Sequence, residues 1–188
     1  MSWSVLAKPT SDWADPALLT VGRATYIAQN FENNCKNLLK SLQLTKRLMN
    51  LAEAEAGDFD AAIEGIMEDF RGQGFVYLNR ALTQLNKQSP DAFAVEDAAV
   101  LEAGRDARNW IAHEGARFDV YALDPDEALD CLKDLRRHVR ALAAADDLVA
   151  GVKAATEHNS RDDGRPLEVG SYELLVERWV FAPIEDAS

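Results

Sequence analysis

The chain has 188 residues and a mass of 20.8 kDa, a size usual for one domain. Its composition, 47% hydrophobic and 28% charged with 10 Gly and 6 Pro, excludes collagen-like, disordered and membrane-embedded classes. Twenty Lys and Arg against thirty-two Asp and Glu give a net charge of -12, so the long-range field repels polyphosphate and DNA is not an expected partner. No stretch approaches the roughly 18 to 20 apolar residues that span a bilayer, and MSWSVLAKPTSDW lacks the pattern of a signal peptide. A cytoplasmic protein with no membrane contact is expected. The only cysteines, Cys35 and Cys131, fall on apolar helical positions, where a free thiol is most often a small buried hydrophobe. One bridge between them is open in principle, but two cysteines make no disulfide scaffold.

Apolar residues recur every three or four positions through most of the chain, which predicts helices. A first long helix starts at Asp15-Pro16, with Asp as N-cap and Pro in the first helical position, and its apolar positions continue to Leu48. A second pattern follows Gly57-Asp58 through Phe59, Ile63, Ile66, Met67 and Phe70. Gly72 and Gly74 interrupt it before Phe75, Leu78, Leu82 and Leu85, so it is one broken helix or two short ones. Ser89-Pro90-Asp91 supplies a turn. A third helix covers about Val95 to Glu114 and ends near Gly115, a natural C-terminal glycine. Asp124-Pro125-Asp126-Glu127 opens a fourth with a capping-box-like arrangement, carried on to Val152 with a bend admissible between Ala143 and Asp147. The segment 158–165 is a polar loop. Residues 166–182 fit a strand or a helix equally well.

The expected architecture is therefore all-α. It is an up-and-down bundle of four or five helices with a short C-terminal appendage, strand or helix. Residues 1–188 read as a single α-helical domain, with 1–14 as an N-terminal extension and 159–188 as loop and appendage. An apolar stripe left over on such a bundle would be buried by homodimerisation. Trp3, Trp13, Trp110, Trp179 and Phe181 read as packing residues, Trp110 on the core face.

Three histidines occur. His158 lies in the polar loop and reads as solvated. His138 is four residues after Asp134 and can pair with it on one helical face, beside the basic cluster Arg136, Arg137 and Arg140. His113 stands in better company, Arg105-Asp-Ala-Arg108-Asn109-Trp110-Ile111-Ala112-His113-Glu114. With Arg108 at zero and about 100° per residue, Arg105 falls near 60°, Asn109 near 100° and His113 near 140°. Val100, Ala103, Ala107, Trp110 and Ile111 fall between roughly 200° and 300°. One face is apolar and the opposite one gathers two arginines, an amide and an imidazole. An imidazole moves protons near neutral pH, a guanidinium braces negative charge on phosphoryl oxygen, and Asn109 can orient a hydroxyl or the ring. In kind this suffices for metal-independent RNA cleavage by a 2′-hydroxyl. The sequence has no Glu-x-x-His pair, no His-x-x-x-His and no Cys cluster for a metal. It also has no Gly-rich phosphate loop and no nucleophile elbow, so no metal and no cofactor is expected.

Arg108-Asn109-Trp110-Ile111-Ala112-His113, an Arg and a His separated by four residues with a polar residue after the Arg, resembles the signature of the HEPN superfamily (higher eukaryotes and prokaryotes nucleotide-binding). That resemblance covers mainly the third helix. It implies a small α-helical bundle and an endoribonuclease of toxin or phage-defence type, cleaving RNA in a composite cleft built by two copies. In it Arg108, Asn109 and His113 are catalytic and Arg105 is a substrate contact. Gly115 stands where partner-silenced members of the family carry a Tyr two residues after the His, so control by modification of that tyrosine is not expected. RNA binding by so acidic a chain requires Arg105, Arg108, Arg117 and the Arg136 to Arg140 cluster to line one cleft. The alternative is a non-catalytic helical module that binds a nucleotide, a protein partner or an antitoxin, with Arg108, Asn109 and His113 forming a polar interface.

Overall fold

The computed structural model describes residues 14–53, 59–72, 77–88, 93–115, 125–157 and 171–183. Helices make up 94% of them and no strand occurs among them. In chain order they are α1 (Ala14–Glu53), α2 (Phe59–Gly72), α3 (Leu78–Gln88), α4 (Val95–His113), α5 (Pro125–Glu157) and α6 (Ser171–Val180). The all-α bundle expected from periodicity is the fold: among the described residues α1 to α5 are its five helices and α6 is the C-terminal appendage.

The alternatives that the sequence leaves open resolve for local reasons. The run after Gly57 is two helices because Gly72 and Gly74 come together, and glycine costs about 1 kcal/mol relative to alanine inside a helix. The appendage is a helix over Ser171–Val180, placed by tertiary contact where periodicity was ambivalent. α1 begins at Ala14, so Asp15 and Pro16 lie within the first turn instead of at the cap and first position. Proline is tolerated there because the first helical N–H groups lack intrahelical partners. α5 runs through residues 143–147 as one uninterrupted helix. The turn at 89–91, Asp124, Arg117, His158, Trp3 and Trp13 lie outside the described residues.

α4, which carries the motif, starts after Ala94 in extended conformation. The Ala94 N–H donates to Asp97 Oδ2 at 2.7 Å, and Glu96 and Asp97 place negative charge in the first turn, where the helix dipole favours it. The helix ends with the Glu114 N–H donating to the Trp110 carbonyl at 2.8 Å. Gly115 follows without a left-handed φ, so α4 does not end by reversing on a glycine.

Neighbouring contacts give the directions of the long helices. Trp110 meets His138 while Gly104 lies against Ala145, so α4 and α5 are antiparallel. Arg140 meets Glu177 and Asp146 meets Tyr172, so α6 runs back along α5. On α1, Arg23 donates to the carbonyls of Trp179 and Ala182 at 3.1 and 2.8 Å, and Asn34 bonds Asp146. α1 is therefore parallel to α5. Between them the core gathers Phe31, Cys35 and Leu38 of α1, Leu85 of α3, Leu101 and Ile111 of α4, Leu135 and Leu142 of α5, and Val180 of α6.

Cys35 is fully buried, as its apolar position predicts, and Cys131 is half-buried; both thiols are free. Burial, with Asp146 and Glu32 nearby, pushes the Cys35 thiol far up, which keeps it protonated and unreactive.

One polar group is buried by design of the wheel rather than by accident of a loop. Asp146 occupies a core-facing position of α5. It accepts from Asn34 Nδ2 at 2.8 Å and from the Tyr172 hydroxyl at 2.6 Å, so α1, α5 and α6 are tied through one carboxylate. Both of its oxygens are satisfied, which is the condition for tolerating such a group inside.

Candidate functional site

The buried arc of α4 is rotated from the one expected. Leu101, Gly104, Ala107 and Ile111 are the buried positions, which span from roughly 260° to 20° on the wheel with Arg108 at zero. Ala103, expected on the core face, is exposed, and Trp110 is half-buried. The cause is Gly104. A hydrophobic count passes over glycine, yet here α5 and the Phe31 ring pack so near α4 that an added Cβ would overlap the Cβ of Ala145. The rotation carries Arg108 to the inner edge of the helix.

There Arg108 meets Glu32 of α1. Its Nη2 donates to Glu32 Oε2, while its Nη1 donates to Asn109 Oδ1 at 3.2 Å. Lys36, one turn along α1, donates to Glu32 Oε1 at 2.6 Å. The Glu32 side chain is 5% exposed, Lys36 12% and Arg108 24%, so the carboxylate is inside and the two cations lead outward. Burial pushes the Glu32 carboxyl up, but the Lys36 and Arg108 partners together hold it below the usual carboxylate range. It is ionised, and its negative charge offsets much of the local field of Arg108.

The structure brings Arg108 and Asn109 together and leaves His113 apart. His113 is exposed at the end of α4, and among the described residues no hydrogen bond joins it to Arg108 or Asn109. Arg105 is half-buried and pairs with Asp106, its Nη2 2.9 Å from Asp106 Oδ1. Glu102 and Asp106 are exposed on the same side of α4 as Arg105 and His113, so this face is mixed in charge.

His138 does not pair with Asp134. Its ring stacks on Trp110 with centroids 4.3 Å apart and 18° between planes, while Asp134 pairs with Arg137 at 3.3 Å. Burial and then Arg137 lower the His138 pKa from the ordinary 6.5, with Asp134 opposing. A folded pKa below the unfolded one means the unfolded chain takes the proton first. This contribution to stability is complete above about pH 6.5 and is lost as pH falls toward the lower folded value. His138→Phe keeps a ring against Trp110 and removes the titration. Its stability measured by urea unfolding is expected to decline less than wild type between about pH 7 and pH 5.5; equal slopes would show that His138 does not titrate differently on folding.

The basic cluster of α5 divides. Arg140 Nε and Nη2 donate to Glu177 Oε2 and Oε1 at 2.7 and 3.1 Å, Arg136 Nε lies 3.2 Å from Glu177 Oε1, and the Arg136 guanidinium sits 4.7 Å over the Phe181 ring. The hydrogen bonds from Arg140, against a smaller opposing effect of burial, hold the Glu177 carboxyl below its usual range. Arg136 and Arg140 thus dock α6 and face away from α4, as the half-turn between them and His138 along α5 requires. They do not line one cleft with Arg105 and Arg108.

Glu32 and Asp146 are the residues sequence reasoning passed over. Each is an acid on an apolar helical stripe, Glu32 beside Phe31 and Cys35, Asp146 beside Leu142 and Val149. That out-of-pattern placement was the available signal. Among the described residues no three His, Cys, Asp or Glu side chains gather where they could hold a metal ion, and no helix is long and apolar enough to cross a membrane. No family model matches the chain, and comparison with curated proteins and with solved structures likewise finds no match.

Proposed function

We propose that the chain is a HEPN-like, metal-independent endoribonuclease whose site is the outer surface of α4. The observation that carries this reading is the fixed guanidinium of Arg108. Glu32 and Asn109 hold it at the rim of the bundle, on the same helix as the exposed imidazole of His113. In the reaction a substrate 2′-hydroxyl attacks its own phosphorus, the 5′-oxygen leaves, and one proton is taken up while another is given. His113 serves as the general acid/base, Arg108 stabilises charge on the phosphoryl oxygens, Asn109 orients the substrate, and Arg105 contacts it. Glu32 is a positioning residue acting through Arg108. A single imidazole cannot take and give protons at opposite sides of one phosphorus, so a second copy of α4 across a two-fold axis supplies the other.

The test is cleavage of total RNA in EDTA by wild type and His113→Ala in parallel. Cleavage by wild type that is lost in a folded His113→Ala variant is the expected result, since general acid/base groups contribute about 10²- to 10⁴-fold. Equal cleavage by both would sink the assignment. The Arg108–Glu32 ion pair favours a second reading, in which Arg108 anchors α4 to α1 and the face is a non-catalytic surface for a nucleotide or a protein. Under that reading wild type cleaves nothing, and a nucleotide ligand raises the melting temperature.

A further inference from the structure

The Trp110–His138 stack joins α4 to α5 at the edge of the core, against which Trp110 packs. Both rings are half-buried, and they lie nearly parallel, 4.3 Å apart. On α4, His113 follows Trp110 by three residues, so the two side chains are surface neighbours. On α5, Arg137 has a side chain 71% exposed, and its Nη2 is 3.4 Å from His138 Nε2. Among the described residues its carboxylate contact is Asp134 at 3.3 Å, an exposed pairing that exchanges readily with solvent and ligand.

We infer that the Trp110–His138 stack is a platform on which an unpaired nucleobase adds as a third ring, with Arg137 holding the phosphodiester beside it. Stacking on aromatic side chains is how single-stranded nucleic acid is held without sequence readout, because every base has a π-face. The mode also suits this chain. A net charge of -12 disfavours a grip spread over many phosphates, whereas a base is neutral and one arginine serves one phosphate. Burial keeps His138 in its uncharged form, so the ring offers a π-face without adding a charge. The inference deepens the ribonuclease reading, on which it rests for the role of the neighbouring His113; the stacking itself requires no cleavage.

The probe is a single-stranded 2′-O-methyl RNA octamer containing 2-aminopurine, which cannot be cleaved and whose fluorescence falls when the base stacks. Saturable quenching by the full chain is expected. His138→Ala should bind about tenfold more weakly, His138→Phe close to wild type, and Arg137→Ala about threefold more weakly. 2-Aminopurine riboside monophosphate is titrated alongside; equal affinity for it assigns the platform to free nucleotides, and weaker affinity assigns it to strands. Absent quenching, or His138→Ala binding like wild type, overturns the inference. Should His138→Ala fail to fold, Arg137→Ala, on the exposed surface, decides it by the same comparison. Quenching without RNA cleavage removes the nuclease reading and keeps the platform, while His113-dependent cleavage without quenching does the reverse.

Discussion

Glu32→Ala is expected to lower the unfolding free energy by about 3 kcal/mol, which for a chain of this length is a fall of roughly 6 to 12 °C in Tm. The reason is asymmetry. A buried ion pair gains little over an apolar pair of the same shape, but removing one partner leaves the other charge uncompensated. Here two cations are left, Arg108 and Lys36, both pointed at the vacated volume. The loss stays at the lower end of the range for buried pairs because Arg108 is 24% exposed and can turn toward water. Two controls separate charge from volume. Glu32→Gln keeps the shape and the acceptor oxygen and should lose less than the alanine variant. The triple variant Glu32→Met, Lys36→Met, Arg108→Met replaces the carboxylate and both of its cations with apolar chains and should recover most of the stability.

The pH dependence has a definite sign. Glu32 has a folded pKa below the ordinary 4.5, so its contribution is complete above that value and is lost as pH falls below it. The stability gap between wild type and Glu32→Gln should therefore shrink on acidification below about pH 4.5. A gap that widened there would show that Glu32 is protonated in the folded chain. The effect of ionic strength should be modest, since the Glu32 carboxylate is buried although Arg108 is partly exposed.

Gly104→Ala is expected to destabilise the fold by about 2 kcal/mol, or roughly 4 to 8 °C in Tm, although the same substitution improves helix propensity by about 1 kcal/mol. A Cβ at Gly104 would overlap the Cβ of Ala145 and come within 3.2 Å of Phe31 Cζ. Ala145 has no rotamer with which to retreat, so α4 and α5 must part. The parting would also loosen the Trp110–His138 stack. Gly22 and Gly65 provide the contrast. Both lie within helices, exposed, and an added Cβ meets nothing within 4 Å at either. Gly22→Ala and Gly65→Ala should each stabilise by about 0.5 to 1 kcal/mol. Thermal melts of the three variants thus test one chemical change with opposite signs. Gly104→Ala melting at or above wild type would show that the α4–α5 contact is looser than described.

The legible part of this chain was the part written in apolar spacing. The starts of α1, α4 and α5 and the end of α4 follow from it to within a residue or two, while α1 and α5 run about five residues beyond their last apolar positions, Leu48 and Val152; the burial of Cys35 follows from its place in the stripe. The pair of glycines after Phe70 marked an interruption but left the number of helices open. Residues 171–180 satisfied both periods at once, and only docking decided between them: Tyr172 on Asp146, Glu177 between Arg136 and Arg140, and Val176 and Val180 against the core.

At the candidate site, residue types and spacing identified Arg105, Arg108, Asn109 and His113 as one polar group of side chains, yet they carry no information about what stands opposite. The wheel assigned Arg108 to the outer face because it weighed only the apolar residues of its own helix. The buried face is chosen by where the neighbours approach. Gly104, without a side chain, lets Ala145 and Phe31 pack where a Cβ would not fit, and with that face inward Arg108 reaches Glu32, a residue 76 positions away in the chain. The sequence by itself determined that the chain is helical and which residues are able to do chemistry. The tertiary structure alone decided which of those charges are already matched within the chain, because helix formation depends on near neighbours while ion pairing depends on the rotation and proximity of distant ones.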